Sequence, residues 1–275
     1  MVTYARNALK RNFVDNAANE ALELVSFVSE IPKNELVGKP CSLSPVQKTR
    51  LDNLLLRRIK GEPLQYLLGF WEFYGLRFNL NSSVLIPRQD TESVVEEALE
   101  ILKNIKNPVI CDIGTGSGAI AVVIAKNTGA AVTAIDISPE AIETAKQNSL
   151  QNKTEINFLV HDMTIGYEGA VQKETLDMII SNPPYIKTSD IAALSPTVYN
   201  YEPVTALDGR EDGLFFYKII AAKWKDALKH DGVLIVEIGL NQENDIAKIL
   251  SGAGFKQIEA KPDLNGIKRM ITAKK

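Results

Sequence analysis

The sequence predicts an α/β fold, a mainly parallel sheet with helices on both faces, preceded by a small helical domain and a β-hairpin linker. Three observations predict it. Strand-like and helix-like segments alternate from about residue 90, and strands separated by helical crossovers pair in parallel. Residues 1–68 carry apolar side chains at helical spacing. Between these regions lies a short stretch crowded with aromatic strand formers.

In chain order, Ala21, Leu22, Val25 and Val28 mark one helix of the first domain, and Leu51, Leu54, Leu55 and Ile59 mark another. Ile31-Pro32-Lys33-Asn34 breaks the first, while Leu43-Ser44-Pro45 opens the second with proline near its first turn. Gly61-Glu62-Pro63 ends the helical part. Residues 69–89 form the linker. Phe70, Trp71, Phe73, Tyr74 and Phe78 lead to Val84, Leu85 and Ile86, so the hairpin turn is expected at Asn81-Ser82-Ser83.

The third region, 90–275, has expected strands at 108–112, 131–136, 156–160, 176–181 and 232–238. Helices are expected at 118–127, 139–150 and 213–229. Segments 255–260 and 267–273 are candidates for edge strands. Sheets of this kind bind ligands beyond the carboxyl ends of their strands, so the chemistry is sought there.

The chain has 275 residues, 45% hydrophobic and 24% charged, which suits two packed domains rather than a disordered chain. No apolar run reaches the roughly 18 residues of a membrane span. The first residues lack the apolar core of a secretory signal. Cys41 and Cys111 are the only cysteines and there are two histidines, so neither a disulfide framework nor a zinc site is expected, and a reducing cytoplasm fits. A net charge of −3 argues against a protein that grips long nucleic acid.

The first strand of the sheet runs into Asp112-Ile113-Gly114-Thr115-Gly116-Ser117-Gly118. Glycines let the chain turn tightly and let a ligand lie against bare backbone. By itself this could be only a strand-to-helix turn, and it is neither the dinucleotide spacing nor a nucleotide-phosphate loop. Two acids extend the pattern. Asp136 ends the second strand, 22 residues past Gly114, where it can accept from ribose hydroxyls. Asp162 and Met163 follow the third strand, placed to hold the edge and face of an adenine. Asp112 opens the loop with an acid, which suits a cationic sulfonium better than a pyrophosphate. Together these residues resemble the S-adenosylmethionine site of the Rossmann-like class I methyltransferases.

The fourth strand delivers Asn182-Pro183-Pro184-Tyr185 to the same rim. A conjugated –NH2 is a poor nucleophile, because its lone pair is delocalised. Acceptors placed on its two N–H groups return density to nitrogen and aim it. Asn182 Oδ1 and the Pro183 carbonyl can be those acceptors, held in place by two prolines. Tyr185 offers a flat face for a planar acceptor. No general base is required before the methyl moves, so neither His161 nor His230 is given that role.

The tetrapeptide serves adenine amino groups and glutamine amides alike. Over nearly its whole length, however, the chain resembles the HemK/PrmC family. The matching features include Gly61-Glu62-Pro63, Glu72-Phe73, Val84-Leu85-Ile86-Pro87-Arg88, Tyr201-Glu202-Pro203, Asp212-Gly213-Leu214, Glu237-Ile238-Gly239, and Asp263-Leu264 with Gly266 and Arg269. Two departures stand out. Gln89-Asp90 replaces the family's usual Pro-Glu, and Met163 stands where an aromatic is common.

The resemblance implies transfer of methyl from S-adenosylmethionine, leaving S-adenosylhomocysteine, to the glutamine of the Gly-Gly-Gln motif in peptide-chain release factors. It implies that Gly114 to Gly118 (Thr115 and Ser117 among them), Asp136, Met163 and Asn182 contact the cofactor. It implies that Asn182 to Tyr185 bind the glutamine and that the helical domain and hairpin grip the release factor. A monomer in the cytoplasm is expected, with no nucleic-acid substrate and no membrane. An adenine amino methyltransferase acting on DNA or RNA is the alternative.

Overall fold

The computed structural model describes residues 1–263 and 265–275. Leu264, part of one motif above, lies outside the described residues. The chain divides into two compact units, one of residues 1–70 and 195–201, the other of residues 71–194 and 202–275.

The first unit is helical. It contains α1 (Val2–Arg11), α2 (Ala17–Ser29), α3 (Lys33–Leu36), α4 (Pro45–Ile59) and α5 (Leu64–Leu68). Ser44 caps α4 with a capping box: its hydroxyl accepts from Gln47 N and the Gln47 side chain accepts from Ser44 N. Ala21, Val25 and Val28 of α2 and Leu51, Leu54 and Leu55 of α4 are buried, as their spacing predicts, whereas Leu22 and Ile59 are only half-buried and Leu24, not among the expected positions, is buried. A sixth helical segment at Pro196–Tyr201 joins this unit from far along the chain. Its Tyr201 hydroxyl donates to the Lys60 carbonyl at 3.2 Å. The break at residue 68 expected from sequence therefore falls two residues later, and the unit has a second, distant contribution.

The hairpin consists of β1 (Phe70–Phe73) and β2 (Leu76–Asn79). Its turn is Tyr74-Gly75, not Asn81-Ser82-Ser83, which corrects the sequence reading. Both turn residues have positive φ, 50° and 70°, the backbone a two-residue hairpin turn needs. Asn81 instead closes a local turn, its Oδ1 accepting from Ser83 N at 2.9 Å. Val84 and Ile86 are buried without entering a strand.

The second unit continues with α6 (Gln89–Leu102), β3 (Val109–Ile113), α7 (Ala119–Thr128), β4 (Ala131–Asp136), α8 (Pro139–Asn152), β5 (Ile156–Val160) and β6 (Leu176–Ser181). After the helical segment at 196–201, numbered α9, come α10 (Phe215–Lys223), β7 (Leu228–Glu237), α11 (Glu243–Gly252), β8 (Lys256–Pro262) and β9 (Lys268–Lys274). The seven-stranded sheet has the order β5-β4-β3-β6-β7-β9-β8. β3 to β7 are parallel, and β9 runs antiparallel between β7 and β8. The helix expected at 213–229 ends at Lys223, because a tight 3-10 turn at Lys225–Ala227 returns the chain to start β7. From β3 the chain winds outward through β4 to β5, then crosses back to β6 on the other side of β3, so the winding reverses between β3 and β6. That reversal is the switch point at which such sheets open a crevice.

Candidate active site

The rim above β3, β4, β5 and β6 is built from backbone first. Gly114 N and Thr115 N both donate to the Ile135 carbonyl at 2.9 Å, which folds the glycine loop across the end of β4. Gly114, Gly116 and Gly118 have φ of 74°, 55° and 79°, so the loop alternates into the left-handed region where side chains are costly. A Cβ on Gly116 would meet nothing within 4 Å, whereas one on Gly118 would press on Ala145 Cβ at 3.0 Å. Gly116 thus leaves room for a ligand, and Gly118 lets α7 approach α8.

Asp136 Oδ2 accepts from Gly116 N at 2.9 Å and Oδ1 from Ser138 N at 3.0 Å, so the carboxylate is aimed by two backbone amides. Burial raises its pKa, and those amide bonds oppose the rise. Asp162 Oδ1 accepts from Thr164 N at 2.8 Å. Met163 is anchored through its carbonyl, which accepts from the Trp224 indole at 2.9 Å. On the next strand the Ser181 hydroxyl donates to the Ile113 carbonyl at 2.6 Å, pinning the end of β6 to the end of β3.

These residues surround one cavity of about 490 Å³, a size suited to a nucleoside-sized ligand. Of the expected residues, Gly114, Thr115, Gly116, Ser117, Asp136, Asp162, Met163, Asn182 and Pro184 line it. The glycine loop and the acceptor tetrapeptide therefore open into the same space. Gly118, Asp112, Pro183 and Tyr185 are not on its wall.

Two of these placements change the reading. Asp112 is fully buried behind the loop, where its Oδ2 accepts from Thr115 Oγ1 at 2.6 Å, so it braces the loop rather than facing a sulfonium. Burial lifts its pKa to about 7 against that hydroxyl bond. Its Oδ1 has no hydrogen-bond partner among the described residues. Tyr185 packs against the hydrophobic core and sits over Gly239, where a Cβ would come within 3.1 Å of its ring. Its hydroxyl lies 3.5 Å from Glu237 Oε1. The open face expected of it is not presented to the cavity.

Sequence reading missed other parts of the wall. Arg88 and Thr91 reach it from the start of α6, and Phe215 and Phe216 from the start of α10. The two phenylalanine rings stand edge to face, 5.1 Å apart. Arg88 is tied to the buried Glu202 at 2.5 Å. Adjacent aromatics opening a helix were a readable signal; the pairing of Arg88 with Glu202 was not. His161 also lines the wall, its Nε2 paired with the Gly166 carbonyl at 2.7 Å.

Residues 1–69 match the PrmC N-terminal domain and residues 94–195 the methyltransferase small domain. The release factor glutamine methyltransferase of Fusobacterium nucleatum is 41% identical over 97% of this chain and 76% of its own length. That of Geobacter sulfurreducens is 38% identical over 98% of this chain and 94% of its own. Among solved structures, the catalytic domain of hMettl16, in complex with MAT2A 3'UTR hairpin 1, aligns with a TM-score of 0.59. It is 16% identical, with 91% of this chain and 90% of that one covered. A methyltransferase from Pyrococcus furiosus gives 0.53 at 16% identity, covering 81% of this chain and 98% of its own. Likeness at that identity establishes the fold and says nothing of the substrate.

Proposed function

Because the chain belongs to the family of release factor glutamine methyltransferases, we propose that it methylates the side-chain amide nitrogen of the Gly-Gly-Gln glutamine in peptide-chain release factors, using S-adenosylmethionine. The observation that carries this reading is the single cavity shared by the glycine loop, Asp136, Asp162, Met163 and Asn182. When bound, the cofactor supplies an electrophilic methyl on a positively charged sulfur.

The residues present fit it. The backbone at Gly116 leaves space for a ligand, Asp136 is positioned to accept from ribose hydroxyls, and Asp162 with Met163 to hold the adenine. Asn182 Oδ1, on the cavity wall, accepts one N–H bond of the glutamine amide, and the backbone carbonyl of Pro183, whose side chain is off the wall but which stands between the wall residues Asn182 and Pro184, accepts the other; this raises electron density on nitrogen and fixes its direction. Phe215 and Phe216 supply the aromatic wall that Tyr185 does not. Most of the catalysis is positioning, since nitrogen needs to lose its proton only after it has been methylated.

Recognition of the release factor is assigned to the helical unit. A groove lined there by Phe27, Arg50, Asn53, Arg57 and Leu67 offers apolar surface and guanidinium groups for a protein partner. The protein is read as a monomer acting in the cytoplasm, with Cys41 and Cys111 as free thiols. Among the described residues, no helix is long and apolar enough to cross a membrane. An adenine acceptor has only the shared tetrapeptide in its favour, set against a net charge of −3.

The test is to incubate the protein with labelled cofactor, a release factor and, separately, DNA and RNA. Peptide mass spectrometry is expected to find one added methyl on the Gly-Gly-Gln glutamine. Label in nucleic acid with none on that glutamine would overturn the assignment.

A further inference from the structure

We propose that Thr91 and Glu237 form a hydroxyl relay that decides which end of the Asn182 amide faces the substrate, making both of them positioning residues. The inference rests on the reading of Asn182 as an acceptor for the substrate amide.

Glu237 ends β7, only 2% exposed, and its Oε2 accepts from Thr91 Oγ1 at 2.6 Å. Thr91, 5% exposed, stands in the first turn of α6. A hydroxyl has one proton. Once that proton is given to a carboxylate, the oxygen can only accept from its other neighbour. That neighbour is Asn182 Nδ2, at 3.3 Å. The amide is therefore held with nitrogen towards Thr91, which leaves Oδ1 as the group to offer the substrate. An amide turned over would set N–H against N–H, which repels the glutamine instead of activating it. Neither Thr91 nor Glu237 needs to touch the reacting atoms for this to work.

A buried carboxylate that served only packing would be a poor choice, because an apolar side chain would fill the space without the cost of desolvation. Glu237 is surrounded on several sides. Asp90 raises its pKa and Arg269 lowers it, while the Tyr185 hydroxyl lies by Oε1 and the Tyr217 hydroxyl donates to the Glu237 carbonyl at 2.8 Å. Arg269 is itself shared between Asp90 at 3.1 Å and Asp263 at 3.4 Å. Burial outweighs these partners and lifts the Glu237 carboxyl to about 7. A protonated Glu237 donates to Thr91, whose own proton is then free to turn towards Asn182. The relay reverses, and the acceptor is lost from the cavity.

The experiment compares the parent with Thr91→Val, Thr91→Ser and Glu237→Gln. It measures kcat for release-factor methylation from pH 6 to 9 and cofactor affinity by calorimetry. Thr91→Val keeps the shape and removes the hydroxyl; kcat is expected to fall about 10- to 100-fold, the scale of a misplaced catalytic group. Cofactor affinity should stay within about twofold of the parent, which also shows that the variant is folded. Thr91→Ser should restore most of the rate. The parent rate should fall below about pH 7, and Glu237→Gln should remove that acid limb. Parent-like kcat in Thr91→Val, failure of serine to rescue, or an unchanged acid limb in Glu237→Gln would overturn the relay while leaving the methyltransferase reading intact. A parent protein that labels no glutamine would sink both.

Discussion

Alanine placed at Gly116 and at Gly118 separates a glycine needed for a ligand from one needed for packing. At Gly118 the residue would have to hold a φ of 79°, which costs a non-glycine about 1 kcal/mol. Its Cβ would also lie 3.0 Å from Ala145 Cβ and 3.2 Å from Ala145 Cα, atoms that cannot swing aside. Overpacking of that kind costs about 1–3 kcal/mol, so Gly118→Ala should lose about 2–4 kcal/mol in stability. At Gly116 the φ of 55° carries a similar backbone cost, but no atom lies within 4 Å of the new methyl. Gly116→Ala should therefore lose only about 1 kcal/mol in stability. Its methyl enters the cavity, and the same packing penalty of about 1–3 kcal/mol then appears as a cofactor affinity weakened about 5- to 140-fold. Urea unfolding of the ligand-free proteins and calorimetric titration with S-adenosylmethionine measure the two quantities. The reasoning fails if Gly118→Ala is no less stable than Gly116→Ala, or if Gly116→Ala binds cofactor as the parent does.

Three further outcomes are expected. Asn182→Ala should cost about 2–4 kcal/mol in the transition state, as lost preorganised polar groups do, with an unchanged unfolding midpoint; steady-state kinetics check it. Asp136→Ala should weaken cofactor binding more than it slows the bound complex, and equal affinity by calorimetry would remove Asp136 from the site. Asp112→Asn probes a buried acid whose pKa is raised from 3.8 to about 7. The folded state keeps that proton to higher pH than the unfolded chain. The stability it lends is complete below about pH 4 and lost as pH rises through about 7. Without cofactor, the variant should therefore gain on the parent across that interval, by up to about 4 kcal/mol. Unfolding curves at pH 4.5 and 8 decide.

What the chain disclosed in advance follows from how locally each feature is written. β4 and β6 are largely apolar runs ending in Asp136 and Ser181, and β5 is one that stops before His161, so their limits fall where the pattern changes. α4 and α8 were legible because each opens on a capping serine followed by proline, Ser44-Pro45 and Ser138-Pro139. α6 and α11 were missed, and neither has a capping side chain at its start. The hairpin turn was misplaced because Asn-Ser-Ser outweighs Tyr-Gly on composition, although it is Tyr74-Gly75 that adopts the positive φ values. At the site, the glycine loop and Asn182-Pro183-Pro184-Tyr185 are short continuous signals. Thr91, 91 positions from Asn182 and 146 from Glu237, is joined to them only by the folded sheet. Asp112 and Tyr185 were expected to face the ligand and instead lie off the cavity wall, because a sequence does not reveal which side of a rim a side chain takes.

Ile113 and Ser181 are register partners on adjacent strands, and the Ser181 hydroxyl is bonded to the Ile113 carbonyl. The glycine loop departs from one of these residues and Asn182 from the other. Their launching points are thus one rung apart, the roughly 4.8 Å that separates neighbouring strands in any sheet. The separation of those two launching points is set by the pitch of backbone pairing, which no side chain sets. Substitutions around the cavity leave the bases of the glycine loop and of the Asn182 tetrapeptide at the same separation as long as those two strands keep their register.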